Sequence, residues 1–315
     1  MRIGAVVVSH NSAEDLPLCI DALLRADGLE RIVVVDNASE DNSQALVRGI
    51  DDPRVELVVE DPNSGFAGGC NRGFREVGGK CEHLAFLNPD VLVAPDCLEK
   101  AGAALEADPA LACVAPLLMR SDDRTVDTVG QRLKPWNLEV EDRGYGQPPT
   151  SDLLRPTDVL SACGALAVFR RNALESVAEE YGPWAQHFFC FWEDLELGWR
   201  LVNSGWRIQS CPEAVGTHRR GTGASAGRGP LRWRRSPALE AHILSNRWMT
   251  LIRHLHPLDL LSHLPLLLMW DSSVTVAGVL RRPSLLGHLR RRWPMVMREW
   301  RKPNESGRRR LHELP

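Results

Sequence analysis

No two of the eight cysteines form a CxxC pair, and none has the spacing of a zinc site. Most, such as Cys113 and Cys163, lie in apolar context, so they read as reduced core residues of a cytosolic protein. The glycine-rich stretch "NSGFAGGCNRG" (Asn63 to Gly73) contains no GxGxxG, because no two of its glycines are separated by a single residue. A nicotinamide-cofactor fingerprint is therefore missing. The start, "MRIGAVVVSHNS", has an apolar run of only five or six residues, short for the core of a secretion signal, so export is not expected. No zinc-finger, RRM or KH signature accompanies the basic residues, which argues against nucleic acid as a partner.

What is present is an ordinary globular composition. The chain has 315 residues, 43% hydrophobic and 25% charged, enough for one large domain or two modest ones. Its net charge of −3 hides an asymmetry. From Arg219 to Pro315 there are 19 Lys+Arg against 6 Asp+Glu, a net of +13, which leaves 19 against 35, a net of −16, for residues 1–218. A basic carboxyl-terminal part on an acidic body suits an anionic surface such as a membrane leaflet.

Short β-branched runs mark the strands. "IGAVVV" (Ile3 to Val8) and "RIVVVD" (Arg31 to Asp36) have the pattern of strands covered on both faces. Between them Leu16, Cys19, Ile20, Leu23 and Leu24 recur at helical spacing, with Asn11 or Ser12 as the expected N-cap. The unit repeats. Asn42 caps a helix through Ile50, "RVELVVE" is a third strand, "FAGGCNRGFREVG" a helix and "HLAFLN" a fourth strand. This alternation predicts an α/β fold, with a Rossmann-like, mostly parallel open sheet flanked by helices. Beyond Pro116 the pattern loosens. "WNLEVEDRGYGQPPTSDLLRP" reads as an excursion or mobile loop, "DVLSACGALAVFRR" and Trp206 to Gln209 as strands, and "RRGTGASAGRGPLRWRRSP" as a flexible loop. Apolar helices rich in Arg, His and Trp follow from Ala238.

Ligands of open α/β sheets lie at the carboxyl ends of the strands. Those ends read "SHNS", "DNASEDNS" and "NPDV", which places Asp36 and Asp90 at the ligand edge. One carboxylate plus diphosphate oxygens commonly holds a hard divalent cation, so Asp90 is a candidate ligand; otherwise "NPD" is simply a turn. The glycines from Gly65 to Gly73 let backbone approach a flat or anionic ligand, or let a helix pack closely on the sheet. In "FFCFWEDLELGWRL" (Phe188 to Leu201) three carboxylates follow a run of aromatics. Glu196 and Arg200, four apart, suit a surface ion pair. Glu193 and Asp194 suit either the dipole at a helix start or a general base at a cleft mouth. His218, after a predicted strand, reads as structural or as a ligand.

Taken in chain order, "VVVSHNS", "VVVDNASEDNS", "NSGFAGGCNRG", "LNPDV", "CGALAVFRR", "FFCFWEDLELGWR" and "HRRGTGAS" cover roughly residues 3 to 225. Together they resemble inverting glycosyltransferases of family 2, with a GT-A fold, and especially the bacterial rhamnosyltransferase-like group. The resemblance implies that Ser9, Asn11, Asp36, Asn37, Gly65, Phe66, Gly68, Gly69, Asn71, Arg72, Asn88 and Asp90 surround the nucleotide, with Asp36 on the base or ribose. Asp90 looks like the last acid of the metal-binding DxD motif, whose first acid is Asn88 here. With His218 it would hold Mg²⁺ or Mn²⁺. Asp194 looks like the catalytic base, and Cys163, Gly164, Ala165, Trp192 and Glu193 would face the acceptor. The implied partners are a nucleoside-diphosphate sugar, with dTDP-rhamnose favoured over UDP- or GDP-sugars, and a glycan or polyprenyl-linked acceptor in cell-surface polysaccharide synthesis. The implied division is a nucleotide-sugar-binding catalytic domain, 1–225, and a basic helical extension, 226–315.

Two rival readings are weaker. A nucleotidyltransferase generally has a Gly-rich, Arg/Lys-containing loop after its first strand, and "SHNSAED" lacks it. A non-catalytic nucleotide- or sugar-binding module has no need of both Asp90 and Asp194. In the extension, "LDLLSHLPLLLMWDSSVTVAGVL" approaches the ~20 residues of a bilayer span. However, it holds His263, Pro265 and Asp271, and a cluster of Arg281, Arg282, Arg290, Arg291, Arg292 and Trp293 follows. Helices lying on the inner face of the cytoplasmic membrane are expected, on a peripheral cytoplasmic protein.

Overall fold

The computed structural model describes residues 2–219, 236–302 and 307–315; the flexible loop expected from Arg219 to Pro237 lies, but for its ends, outside them. The first half alternates as the sequence predicts: β1 (Ile3–Ser9), α1 (Leu16–Leu24), β2 (Leu29–Asn37), α2 (Ser43–Arg48), β3 (Val55–Glu60), α3 (Gly65–Val77) and β4 (His83–Leu87). The order continues with β5 (Val91–Val93), α4 (Cys97–Ala107), β6 (Leu111–Arg120), β7 (Val126–Thr128), β8 (Gln131–Leu133) and β9 (Val140–Asp142). Then come β10 (Leu166–Arg170), α5 (Arg171–Ser176), α6 (Glu193–Asn203), β11 (Arg207–His218), α7 (Pro237–His254), α8 (Pro257–Arg281) and α9 (Ser284–Arg301).

The main sheet runs β3-β2-β1-β4-β10-β6-β11-β5, with β7 beside β6. β3, β2, β1 and β4 are parallel. The other half is mixed, with β10 antiparallel to both neighbours. The strand order reverses at β1, since β2 and β3 lie to one side and β4 to the other. Such a switch point opens a crevice at the strands' carboxyl ends, here beside Ser9, Asp36 and the "NPD" turn. Helices cover both faces, which is why the strands are apolar at consecutive positions. Val6, Val8, Val33 and Val35 join the layer of α3 and α6, while Ile3, Ala5, Val7, Ile32 and Val34 join that of α1 and α4.

Three local expectations need correction. α1 begins at Leu16, after Asp15, and neither Asn11 nor Ser12 caps it. Their backbone N–H groups instead donate to the Ser39 and Ser43 hydroxyls (2.9 and 3.0 Å), which ties the loop after β1 to the loop after β2. The excursion is not a bare loop. β8 and β9 pair as a small antiparallel ribbon, and Leu138 and Leu153 are buried. Finally, Glu196 is fully buried rather than on the surface. α7 covers it, and Met249, Leu251, Leu255, Leu267 and Val296 share one apolar cluster with Leu195, Trp199 and Val202 of α6. Each fully buried large apolar side chain is worth ~1.5–3 kcal/mol, so α7 and α9 are bound firmly to the sheet's own core.

Candidate active site

The strand ends are built largely from polar groups that satisfy one another. Asp36, 1% exposed, accepts from Ser39 N (3.0 Å) and Gln44 Nε2 (2.8 Å) through Oδ1, while its Oδ2 is buried with no protein partner. A buried carboxylate oxygen without a donor costs free energy, so this atom suits a donor brought by a ligand. The Ser9 hydroxyl, at the matching position of β1, is likewise buried and unpartnered. Asn37 is turned to structure: its Oδ1 accepts from Ser64, and its Nδ2 donates to Gly65 O at 2.8 Å.

The glycines of α3 answer mainly to packing. Cβ atoms on Gly69 and Gly73 would lie 2.5 and 2.1 Å from Val8 and Val6, so both let the helix rest on β1. Gly65 has φ +74°, and its Cβ would meet Phe189 O at 2.3 Å. Gly68 is buried against Ser64. Asn71 is fully buried, and its amide is used twice on the Trp184 backbone (2.8 and 2.9 Å). Asn71, Gly68 and Gly69 therefore do not line an open nucleotide pocket. Gly69 fits the helix–sheet packing alternative, while Gly68 is closed by Ser64 and Asn71 is taken up by Trp184. Arg72 pairs with Glu60 and Glu76. Phe66, half-buried, reaches towards Gly164.

One turn joins the two acidic motifs. Ala165 O accepts from Asn88 N at 3.0 Å, and Gly164 N donates to Asp194 Oδ2 at 2.9 Å. The segment Cys163–Gly164–Ala165 thus touches the "NPD" turn with one residue and the "ED" pair with the next. Asp194 Oδ1 also accepts from Leu195 N (2.8 Å), and Oδ2 from Gln131 Nε2 (3.2 Å). Burial raises the Asp194 carboxyl, against the pull of these donors. Burial and the neighbouring Asp194 charge push Glu193 well above the usual range, and its Oε2 has no partner. Both carboxyls of the pair are thus raised, Glu193 the more strongly. Trp192, just before them, has φ +70° and lies under the Arg247 guanidinium (5.7 Å to the ring centre).

At the far end of the crevice, His218 stands between two carboxylates. Its Nδ1 is 2.8 Å from Asp127 and its Nε2 is 3.3 Å from Asp90. Burial would depress the imidazole, but Asp127 and Asp90 hold it up at about 9. Among the described residues no three His, Cys, Asp or Glu side chains converge as a metal cluster. One carboxylate and one imidazole remain, with Asp127 fixing the ring through Nδ1. This donor set fits Mg²⁺ or Mn²⁺ once the His218 Nε2 proton is displaced by the metal, with a diphosphate supplying further oxygens.

Sequence reasoning missed Asp127 and Gln131. Both lie where periodicity fails, in or beside the excursion, so only their polar character could have marked them. The free cysteines agree with the expectation of reduced thiols, with Cys163 and Cys190 partly exposed.

Comparison with known proteins converges on one family. The family described as Glycosyl transferase family 2 matches residues 5–178. The chain is 38% identical over 96 residues to the succinoglycan biosynthesis protein ExoO of Rhizobium meliloti, covering 30% of this chain and 27% of that protein. It is 26% identical over 221 residues to the N-acetylglucosaminyl-diphospho-decaprenol L-rhamnosyltransferase of Mycobacterium tuberculosis, covering 63% of this chain and 69% of that protein. Among solved structures, GalNAc-T7 with UDP, GalNAc and Mn²⁺ aligns with TM-score 0.62 at 14% identity over 82% of this chain and 48% of its own. The mannosyltransferase PcManGT of Pyrobaculum calidifontis, with GDP-Man and Mn²⁺, aligns with TM-score 0.57 at 20% identity over 94% of this chain and 80% of its own. The chain thus spans about a quarter of the first of these relatives and about half of GalNAc-T7. With more than half of its residues matched, and with the expected GT-A fold, this chain belongs to glycosyl transferase family 2.

Proposed function

We propose that the protein is an inverting, metal-dependent glycosyltransferase that moves a sugar from a nucleoside diphosphate to a glycan or polyprenyl-linked acceptor in cell-surface polysaccharide synthesis. The observation that carries this reading is the Cys163–Gly164–Ala165 turn, hydrogen-bonded to the "NPD" turn on one side and to Asp194 on the other. In this reading one turn links the donor-side motif to the acceptor-side carboxylate, which suits a single displacement.

In this reading Asp36, through its unpartnered Oδ2, takes hydrogen bonds from the base or ribose. Ser9, Asn11 and Phe66 border the same crevice, and Asn88 and Asp90 the diphosphate. Asp90 and His218 would hold the divalent cation, which when bound offsets the charge growing on the leaving diphosphate. Asp194 accepts the acceptor hydroxyl's proton as that oxygen attacks the anomeric carbon. Glu193, beside it, positions the acceptor. Trp192 and its neighbours keep water from the reacting centre. No covalent enzyme intermediate forms, so no Ser or Cys nucleophile is needed.

The relatives' names support the finer terms. A mycobacterial relative is an L-rhamnosyltransferase acting on a decaprenol-linked sugar, which favours dTDP-rhamnose and a polyprenyl-linked acceptor. The fold neighbours bind UDP or GDP-Man with Mn²⁺. The division into a donor-binding body, 1–225, and a basic helical region, 226–315, belongs to the same proposal, as does a cytoplasmic place on the inner membrane face. α8 is long and apolar enough to cross a bilayer by length and composition. However, Asp271 turns inward to Arg247 (2.8 Å) and Trp270 meets Trp136 edge-to-face, so one side of α8 is held against the protein. A helix lying on the leaflet fits better than a span.

The test is turnover. Purified protein is incubated with dTDP-rhamnose, UDP- and GDP-sugars, Mn²⁺ and a polyprenyl-diphosphate glycan. Transfer from one donor, abolished by EDTA, is expected. Nucleotide binding with no transfer from any donor would favour a binding module instead.

A further inference from the structure

The aromatic segment before the "ED" pair is held in a costly shape. Phe189, Phe191 and Trp192 all have positive φ, of 66, 67 and 70°. L-residues are strained in this region. Such a turn persists only where its surroundings fix it, and here the fixing atoms come from α7 and α9. The Asn246 amide nitrogen lies 2.8, 2.9 and 2.7 Å from the carbonyls of Phe188, Cys190 and Phe191, and so shares two hydrogens among three acceptors. Its Oδ1 accepts from Arg292 Nη2 at 2.6 Å. Arg292 also donates to His187 O (3.2 Å) and to the Ser245 hydroxyl. Asn246 and Arg292 are both buried, and both lie beyond the segment matched by the family.

We infer that Asn246, oriented by Arg292, is the positioning residue that holds the Phe188–Trp192 turn and thereby sets Glu193 and Asp194 against the acceptor. The inference rests on the reading of those carboxylates as the acceptor-side pair. The turn is anchored from both sides. On the donor side, Phe189 O accepts from Ala67 N at 3.1 Å, near the start of α3. On the α6 side, Asn246 bridges Phe188, Cys190 and Phe191 by its side chain, and His242 Nδ1 lies 3.1 Å from Phe188 O. Removing its donors loosens the Cys190–Phe191 end that leads into Glu193, while His242 and Ala67 still hold Phe188 and Phe189. Transfer should therefore suffer while nucleotide binding survives. The basic extension, on this account, is a structural part of the catalytic centre.

The test uses the full chain with Asn246→Asp, Asn246→Ala and Arg292→Lys. Asn246→Asp keeps the side chain's shape and its acceptor for Arg292 but turns both donors into acceptors facing carbonyls. A misplacement of ~1 Å at a reacting group costs up to about 10²-fold. Asn246→Asp and Asn246→Ala should lower kcat by about 10–10²-fold. Mn²⁺-dependent UDP or dTDP binding by calorimetry should stay within about threefold. Arg292→Lys, which keeps a charged donor near Oδ1, should retain most of kcat. Unchanged kcat in Asn246→Asp overturns the inference. So does a parallel loss of kcat and nucleotide affinity, which a purely structural role would give. If Asn246→Ala does not fold, the Asp and Lys variants carry the decision. Asp194→Asn is measured alongside. If it transfers sugar at the normal rate, the reading of the base fails; if it is dead while Asn246→Asp is active, only this inference fails.

Discussion

Asp90 and His218 show how far single residues were legible. A carboxylate at the end of an apolar run and a histidine after a strand both stand out in the sequence, because strand ends are where open sheets bind. What did not stand out is Asp127, the buried partner that holds the imidazole ring. Its role comes from the pairing of β7 with β6, a long-range contact that no local pattern announces. Gln131 is hidden for the same reason, since its contact with Asp194 spans the excursion. At this scale the proposed metal site gives a direct expectation. Asp90→Asn should remove the Mn²⁺-dependent part of UDP or dTDP affinity measured by calorimetry, as EDTA should with the unaltered protein. Equal affinity with and without metal would take Asp90 out of the role.

Among the elements, α6 is the one whose sequence said most and misled most. Its start at Glu193 and its i,i+4 pair, Glu196 with Arg200 (2.9 Å), are as read. Its burial was not readable, because α7, some fifty residues later, covers it. Glu196 also meets His254 (2.9 Å) and Arg253 (3.3 Å), and Arg253 pairs further with Glu179 and Glu299. Burial resists ionisation of Glu196, but Arg200, Arg253 and His254 hold its carboxyl well below the usual range. Breaking one side of a buried pair typically costs ~3–5 kcal/mol, against ~0–1 for a surface pair. Glu196→Gln is thus expected to lower the urea midpoint substantially; a variant as stable as its parent would mean that the network is slack. Glu299 shows the pH side. Burial would raise it, but His187, Arg253 and Lys302 hold it at about 2. A carboxyl depressed in the folded state stabilises above its unfolded pKa of ~4.3, and that stabilisation fades as pH falls towards ~2. Melting temperature should fall between about pH 5 and pH 3, and fall less in Glu299→Gln.

Over the whole molecule, the alternating half of the fold followed directly from its apolar runs, and the tail's character followed from its charge. The manner in which the tail joins the body did not, since it depends on residues such as Met249 and Arg292 facing inward. The outward side of α8 and α9 is apolar and basic together. Leu261 and Leu280 are 70 and 77% exposed, Trp293 and Trp300 are exposed, and Arg290, Arg291 and Arg298 lie on the surface between them. Such a face should bind phosphatidylglycerol vesicles with an affinity that falls as salt rises. Leu261→Asp with Leu268→Asp should weaken co-sedimentation while leaving the core intact; unchanged binding would contradict a leaflet-bound α8. Point variants are the sound comparison, because deleting α7 to α9 would uncover the core that supports α6. The central claim is the reaction itself, a sugar transferred with Asp194 as the proton acceptor. Its most direct test is the rate of transfer by Asp194→Asn at saturating donor, beside the unaltered protein. The account predicts a loss of about 10²–10⁴-fold with donor binding retained, and a near-normal rate would contradict it.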